Sequence, residues 1–269
     1  MPRFIRLLAL PLLALALGAP HAAQAQAKEE YRVLAAADVL DDLRKQRDDV
    51  IPERLLQRAY AVAVIPEVFK GAFVVGGRYG TGVLVVRDAR GRFSNPVFMS
   101  LTGGSVGWQI GAQKTEVVLV FTTRRGVEGL AGGKLTLGAG ASVAAGPVGR
   151  QGEAAAGLDA EVFSYSRNSG LFAGVSLEGT ALTIDNKANG RFYGRSGVLA
   201  SEIMSGAVTK DSENVRRLLA AIAASTGETA SKTAVAPALP AAAPAAPAAP
   251  APGARTFPLE DPKPGAEPR

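Results

Sequence analysis

The stretch GAFVVGGRYGTGVLVVRD, residues 71–88, decides the fold class of this chain. It carries five glycines, at positions 71, 76, 77, 80 and 82, among Phe, Val, Leu and Tyr residues that favour strands. Glycine weakens the interior of a strand, so repeated glycine needs a physical reason. Three reasons are open: a loop that cradles phosphate, a sheet that bends, or a surface that lies close to another group.

The glycine-rich composition extends from residue 71 to residue 206, a window that holds 27 of the 31 glycines. Strand-like segments follow one another there through short links, without long helical crossovers. Short links favour antiparallel pairing, and frequent glycine favours a sheet that bends or bulges. The pattern predicts an α+β fold built on an antiparallel, strongly curved or barrel-like, glycine-rich β-sheet.

Segments with helical periodicity precede and follow the predicted strands in the chain. In KEEYRVLAAADVLDDLRKQ, residues 28–46, apolar residues recur at helical spacing and neither glycine nor proline interrupts them. Pro52 suits the first turn of a second short helix. Near the other end, Asp211 or Ser212 is placed to cap a helix. That helix carries the apolar residues Val215, Leu218, Leu219 and Ile222.

Two glycine clusters invite comparison with nucleotide-binding loops. GGRYGTG, residues 76–82, and GAGASVAAG, residues 138–146, contain fragments of a GxGxxG-like pattern. A dinucleotide fingerprint places its glycines between a strand and a helix, whereas strand-like segments lie on both sides here. No GxxxxGK[ST] motif occurs. Nucleotide binding is therefore not expected, and the loop interpretation of the opening stretch gives way to a strand that bends or bulges.

Composition divides the chain into three parts. Residues 1–27 combine a basic start, an apolar run from Leu7 to Leu17 and Ala-x-Ala sites, which predicts a secretory signal peptide and an exported, periplasmic or secreted protein. Residues 28–230 are long enough for one domain, with a core over 55–205. Residues 231–269 form a Pro/Ala-rich tail holding ten of the 17 prolines, and this tail is expected to be disordered.

The residue types that are missing restrict the chemistry. The chain has no cysteine, and its single histidine, His21, lies in the predicted signal peptide. A Ser-His-Asp triad, a Cys-His pair and metal sites built from imidazole or thiolate are therefore not expected after leader removal. Asp159 and Glu161, two residues apart, could share a strand face as paired carboxylates. A solvated strand face explains them more simply. We expect no enzyme activity, no cofactor and no metal site.

The charge balance is mildly basic. The formal net charge is +6, of which Arg3 and Arg6 supply two. Cations spaced among glycine and apolar residues suit phospholipid headgroups, although an ordinary soluble face has the same composition. A nucleic-acid site would need a denser basic stripe, so no nucleic-acid partner is expected. The single tryptophan, Trp108, alternates with Val106 and Ile110, and core packing is its expected role.

Residues 55–205 resemble a known family. The resemblance runs in order through AVAVIPEVFKGAFVVGGRYGTGVLVVRD, MSLTGGSVGWQIGAQKTEVVLVF, LGAGASVAAGPVGR and VFSYSRNSGLFAGVSLEGTAL, which together are similar to the SYLF domain. Eukaryotic members of that family bind phosphoinositides and other anionic lipids, and fungal members bind actin. The resemblance implies a non-enzymatic lipid- or membrane-binding module. Actin and phosphoinositides are not expected in the predicted compartment.

These observations combine into one functional hypothesis and one alternative. The hypothesis is a periplasmic protein that binds anionic phospholipids or a membrane surface through basic residues in glycine-rich strands and loops. The candidate headgroup contacts are Lys70, Arg78, Lys114, Arg124 and Arg125. The alternative is a cell-envelope scaffold that binds protein or cell-wall polymer through its Pro/Ala-rich tail.

Overall fold

A computed structural model describes residues 9–45, 51–72, 76–88, 90–105, 111–147, 160–168 and 171–226 of the 269-residue chain. Contacts divide the chain into two units, Met1–Ser231 and Lys232–Arg269. All of the described residues belong to the first unit. The predicted tail and residues 1–8 of the predicted leader lie outside the described residues, and the domain boundaries at 27 and 230 stay predictions.

One curved sheet dominates the described part of the chain. Its main path has the order β5-β9-β3-β2-β1-β4-β7-β6, and β8 pairs with β7. The strands are β1 Ala61–Ala72, β2 Gly76–Val86, β3 Val97–Ser105, β4 Gly111–Phe121, β5 Lys134–Thr136, β6 Val143–Ala145, β7 Val162–Asn168, β8 Leu171–Gly174 and β9 Ala181–Ile184. The predicted α+β class and strongly curved sheet are confirmed. The sheet is mixed, because β6 runs parallel to β7 whereas the other described pairs are antiparallel.

Six helices accompany the sheet among the described residues. They are α1 Ala9–Lys45, α2 Glu53–Gln57, α3 Arg124–Ala131, α4 Asn186–Tyr193, α5 Ala200–Met204 and α6 Glu213–Ser225. Ser212 caps α6, since its hydroxyl accepts from the Val215 N–H, as one of the two sequence alternatives predicted. Helix α4 has no counterpart in the predicted pattern. Asp185 caps it and Gly194 ends it with a φ of 66°.

The sheet separates two apolar clusters. Alternate residues of β1 show this division, since Val62 and Val64 join one cluster whereas Ala63 and Ile65 join the other. The first cluster packs against α1, α4 and α6, and the second packs against α3, α5 and the segments around Leu137 and Leu177. We call the two sides of the sheet the α1 face and the α3 face.

The glycines of the opening stretch lie opposite a β-bulge. Strand β1 carries one extra residue between Val64 and Glu67 relative to β2, and the register against β4 shifts at the same place. A Cβ added to Gly82 would lie 2.2 Å from the Val64 carbonyl oxygen. A Cβ added to Gly80 would lie 2.8 Å from the Glu67 oxygen. The bulged backbone of β1 therefore occupies the space that a side chain at either position would need.

Glu29 is a buried residue of α1 that carries a polar contact to the rest of the domain. Residues 26–28 are exposed, whereas Glu29 is fully buried and Val33 follows it in the core. The Arg191 side chain donates from Nε to Glu29 Oε1 at 3.0 Å, and its Nη2 contacts the same oxygen. Ion pairs from Arg217 to Asp38 join α1 to α6 as well. Polar contacts from Glu29 and Asp38 thus hold this helix on its face of the sheet.

Glu30 extends the same network toward the start of α6. Its carboxylate accepts from Ser212 Oγ at 3.1 Å and Asn214 Nδ2 at 3.0 Å, and it lies 2.8 Å from Lys210 Nζ. Burial raises the pKa of Glu30, but these three donors together hold that pKa below its ordinary value. The carboxylate therefore stays ionised and keeps α1 joined to the α6 cap.

Candidate functional site

Two cations lie directly opposite each other near the ends of the central strands. Lys70 on β1 pairs in register with Arg78 on β2, so both side chains project from the α3 face. Like charges in this position destabilise a sheet. Among the described residues, no carboxylate is placed to offset the repulsion between Lys70 and Arg78.

Electrostatics at this pair favour an added negative charge. Burial lowers the pKa of Lys70, and the neighbouring Arg78 charge lowers it further. Burial also lowers the pKa of the Arg78 guanidinium. Both shifts mean that the protonated forms are less stable here than in water. An anion bound between the two groups would reverse that effect, because it would stabilise both charges at once.

A buried hydroxyl lies beside the Arg78 side chain. Thr180 is fully buried, and its Oγ1 has no hydrogen-bond partner among the described residues. A Cβ added to Gly103 would lie 2.9 Å from Thr180 Oγ1 and 3.2 Å from Arg78 Cγ. The bare Cα of Gly103 therefore leaves room between the threonine and the arginine. Lys70, Arg78, Gly103 and Thr180 together form what we call the strand-end site.

The Arg78 guanidinium is incompletely hydrogen-bonded. Its Nη2 donates to the Gly104 carbonyl oxygen at 3.5 Å, a long and weak contact. Its Nε is buried and has no partner within the described part of the molecule. Buried polar groups are normally satisfied, so unsatisfied groups that cluster with a cation indicate a ligand position. The available groups are donors, and this chemistry selects an oxyanion.

Aromatic side chains flank the same strand ends on the opposite face. Phe69 and Tyr79 pair across β1 and β2 and are 52% and 53% exposed. Lys114 Nζ lies 5.7 Å from the Phe69 ring centroid and forms an ion pair with Glu67. Half-exposed aromatic rings beside cations are typical of surfaces that meet a lipid interface. Trp108 lies outside the described residues, so its predicted core position stays a prediction.

The five sequence candidates occupy three separate positions. Lys70 and Arg78 come together, and Lys114 lies at the same end of the sheet but on the α1 face. Arg124 and Arg125 begin α3, which follows the opposite end of β4. Arg124 pairs with Glu128 at 3.1 Å, and Arg125 with Glu161 at 3.7 Å. Only the first two therefore share one site.

Glu161 was also one member of the candidate carboxylate pair. Its Oε2 accepts from the Ser142 backbone N–H at 3.0 Å, and the Ser142 hydroxyl accepts from the Glu161 N–H at 2.9 Å. This reciprocal pairing joins the start of β7 to the segment before β6. Asp159 lies outside the described residues. Glu161 thus has a structural role that needs no catalytic partner.

Thr180 and Gly103 are the site residues that sequence reasoning missed. Thr180 immediately precedes β9, and β9 pairs with β3, which places the threonine near Gly103. A threonine 102 positions away from Arg78 in the chain carries no local pattern that would mark it. Only strand pairing over a long sequence separation brings these groups together.

No described helix combines the length and the apolar character that crossing a membrane requires. The described residues also contain no group of three or more His, Cys, Asp or Glu side chains placed to hold a metal ion.

Comparison with known proteins identifies the family. Residues 102–225 match the Ysc84 family model, described as "Las17-binding protein actin regulator". The chain is 37% identical over 194 residues to LAS seventeen-binding protein 3 of Saccharomyces cerevisiae, a match that covers 70% of this chain and 42% of that protein. It is 36% identical over 177 residues to human SH3 domain-containing YSC84-like protein 1, covering 65% and 51%.

A third relative is protein YSC84 of Saccharomyces cerevisiae, which is 40% identical over 166 residues. That match covers 60% of this chain and 35% of the yeast protein. The chain thus spans about half or less of the length of these relatives. No solved structure matches the chain. The family description and the name of the first relative denote binding or regulatory proteins, and the predicted resemblance is confirmed: residues 102–225 belong to the Ysc84, or SYLF, domain family.

Proposed function

We propose that this protein is a non-enzymatic lipid-binding module that recognises anionic phospholipid headgroups at the strand-end site. One observation carries the proposal. Lys70, Arg78 and Thr180 form a partly buried cluster that contains hydrogen-bond donors and no carboxylate among the described residues. A phosphate group supplies the acceptors and the negative charge that this cluster lacks.

The surroundings of the site support a lipid as the source of that phosphate. Phe69 and Tyr79 expose half of their surface at the same strand ends. The connecting segments 73–75 and 106–110, whose structure is outside the described residues, read Phe-Val-Val and Val-Gly-Trp-Gln-Ile. Cations beside apolar and aromatic residues are the composition that anionic membrane surfaces attract.

Export is part of the same proposal. The leader-like composition of residues 1–27 supports a periplasmic or secreted location. Residues 26–28 are exposed, and the buried residues described on α1 lie from Glu29 onward, so removal of the leader after Ala25 or Ala27 would keep all of them. In that compartment, phosphatidylglycerol, cardiolipin and phosphatidic acid are the headgroup chemistries that we propose.

We expect the double variant Lys70→Ala/Arg78→Ala to bind anionic vesicles about thirtyfold more weakly than the unmodified chain. Each cation near an anionic surface contributes about 1 kcal/mol, so losing two costs about 2 kcal/mol of binding. Cosedimentation with phosphatidylglycerol vesicles at low and moderate salt measures the effect. Arg44→Ala/Arg216→Ala removes the same charge from exposed positions and is the matched control.

The Thr180→Val variant separates binding from stability. Valine removes a buried hydroxyl that has no partner, so the free energy of unfolding should rise by about 1 kcal/mol. Vesicle binding should weaken in the same variant. Equal binding by the unmodified chain to neutral and anionic vesicles would overturn the proposal. Binding to filamentous actin without binding to vesicles would overturn it as well.

The scaffold alternative depends on the tail and is tested separately. We expect deletion of residues 234–269 to leave vesicle binding within about twofold of the unmodified chain, because the strand-end site lies wholly in the described domain. The measurement is the same cosedimentation. Loss of binding on deletion would instead assign the attachment to the Pro/Ala-rich segment and favour the scaffold function.

A further inference from the structure

A row of exposed side chains crosses four strands on the α1 face of the sheet. Lys114, Phe69, Tyr79 and Thr102 lie opposite one another in register, from β4 through β1 and β2 to β3. All four are exposed. Neighbouring strands lie about 4.8 Å apart, so the row extends over about 14 Å. We call it the aromatic row, because two adjacent rings form its centre.

Hydroxyl groups form a second row beside the first, which we call the hydroxyl row. Thr81, Ser100 and Thr183 are paired in register on β2, β3 and β9. They lie on the α1 face, because the neighbouring Leu101 and Leu182 belong to the apolar cluster of the α3 face. All three are partly exposed. Their hydroxyls make no hydrogen bond within the described ranges, so they are available to a ligand.

The charged groups of this surface lie at its two ends. Lys114 forms an ion pair with Glu67, and the hydrogen bond between them raises the pKa of Lys114. Glu67 lies opposite Thr81, so this neutral pair stands at the β1–β4 end of both rows. Lys134 lies opposite Thr183 on the outermost strand β5 and is exposed at the other end. Between the two ends, the rows consist of aromatic rings and hydroxyls, which carry no charge.

This chemistry distinguishes between the polymers that stack on aromatic rings. Nucleobases stack on rings exposed on a sheet face, but the phosphates that link them need cations along the path of the strand. Here the cation beside the rings, Lys114, is already paired with Glu67. A saccharide has no such need, because the C–H groups on one face of a pyranose pack against an aromatic ring. Its hydroxyls both donate to and accept from the hydroxyls of Ser and Thr.

We infer that the aromatic row and the hydroxyl row together bind an extended, uncharged polysaccharide. Phe69 and Tyr79 are 52% and 53% exposed and stand on adjacent strands. The strand spacing of about 4.8 Å is close to the length of one sugar in an extended chain, so neighbouring sugars can stack on the two rings. Thr81 and Ser100 lie one row further along the same face, where sugar hydroxyls reach them. Extended β-1,4-linked chains of glucose or N-acetylglucosamine have this form.

The inference goes beyond the proposed function and does not rest on it. Lys70 and Arg78 of the strand-end site project from the α3 face, whereas the two rows lie on the α1 face. The sheet separates the two ligands, so either site can be lost without the other. The saccharide site is also independent of the Pro/Ala-rich tail, because every residue of the two rows lies on a described strand.

The test is titration calorimetry of the full chain with cellohexaose and with chitohexaose, the soluble hexamers of glucose and N-acetylglucosamine. We expect at least one of them to bind. Phe69→Ala/Tyr79→Ala should weaken that affinity by about tenfold or more, because both stacking surfaces are lost. Phe69→Tyr/Tyr79→Phe keeps both rings and should stay within about twofold of the unmodified chain. Thr81→Val/Ser100→Ala removes two hydroxyls with little change in shape and should weaken the affinity about fivefold.

Two control variants leave the rows intact. Leu199→Ala removes another exposed apolar side chain, which is 58% exposed at the start of α5. Lys70→Ala/Arg78→Ala removes the cations of the strand-end site. Both should change the saccharide affinity by less than about twofold. The ring-exchange variant keeps the test valid if the alanine variant fails to fold.

The inference is overturned if neither oligosaccharide binds the unmodified chain at millimolar concentration, or if Phe69→Ala/Tyr79→Ala binds as tightly as the unmodified chain. Binding of an oligothymidylate in place of the oligosaccharides, lost in the same variant, would assign the rows to single-stranded nucleic acid instead. Loss of vesicle binding in that variant, without saccharide binding by the unmodified chain, would assign the rings to a membrane surface and overturn the inference as well.

Discussion

Replacing Gly82 with alanine is expected to lower the free energy of unfolding by about 3 kcal/mol or more. The new Cβ would lie 2.2 Å from the Val64 carbonyl oxygen and 2.8 Å from Ile65 Cα. Both atoms belong to the backbone of the β1 bulge, so no side chain can rotate away to make room. Overpacking of a buried site typically costs 1–3 kcal/mol, and a clash with backbone lies at the upper end. Urea unfolding followed by circular dichroism measures the effect.

Gly104→Ala is the matched control for this variant. Gly104 lies on β3, is exposed, and has nothing within 4 Å of an added Cβ. We expect its stability to change by less than about 1 kcal/mol, with a small gain because alanine restricts the unfolded chain. If Gly82→Ala were as stable as Gly104→Ala, the close packing of the β1 bulge against Gly82 would be contradicted.

Replacing Arg191 with alanine is expected to lower the free energy of unfolding by about 3 kcal/mol. The substitution leaves the carboxylate of Glu29 fully buried without its partner. Breaking a buried ion pair by removing one member costs about 3–5 kcal/mol, because the remaining charge is not compensated. Arg191 is 41% exposed, so water entering the vacated space keeps the cost near the lower value. Thermal and urea unfolding both report it.

Two further variants identify the cause of that loss. Arg195→Ala breaks the Arg195–Glu202 pair, which is partly exposed on both sides, and should cost less than about 1 kcal/mol. Adding Glu29→Gln to the Arg191→Ala variant should recover part of the lost stability, because a neutral amide is less costly to bury than a carboxylate. No recovery in the double variant would mean that lost packing, rather than the unpaired charge, explains the effect.

Much of the fold follows from local patterns in the sequence. The spacing after Lys28 predicts the packed half of α1, where Val33, Ala36 and Leu40 are buried. Ser212 is recognisable as a cap because a polar residue precedes an apolar helical repeat. The glycines indicate a bent or bulged sheet. All of these features depend on residues that are close in the chain, and so a single sequence contains them.

Features that depend on distant pairing are not predictable in the same way. The bulge lies on β1, whereas the glycines that accommodate it lie on β2. The sequence does not predict helix α4, because NKANGRFY contains a glycine and weak helix formers. Burial of this helix against Phe98 and α1 stabilises it instead. In the strand-end site Thr180 and Arg78 both lie near Gly103, because β9 and β2 each pair with β3. The sequence alone also could not show that Lys70 and Arg78 lie on one face of the sheet and Lys114 on the other.

The bulge in β1 also decides on which side of the sheet Phe69 and Lys70 lie. Before the bulge, odd-numbered Ala63 and Ile65 point to the α3 face; after it, even-numbered Val68 does so, and Lys70 follows with the same parity. If the same sequence alternated regularly without the bulge, the two sides of β1 would be exchanged beyond Ile65. Phe69 would enter the apolar layer, and Lys70 would leave Arg78. With the bulge, the α3 side of β1 carries buried apolar groups in the first half of the strand and the Lys70 charge in the second half.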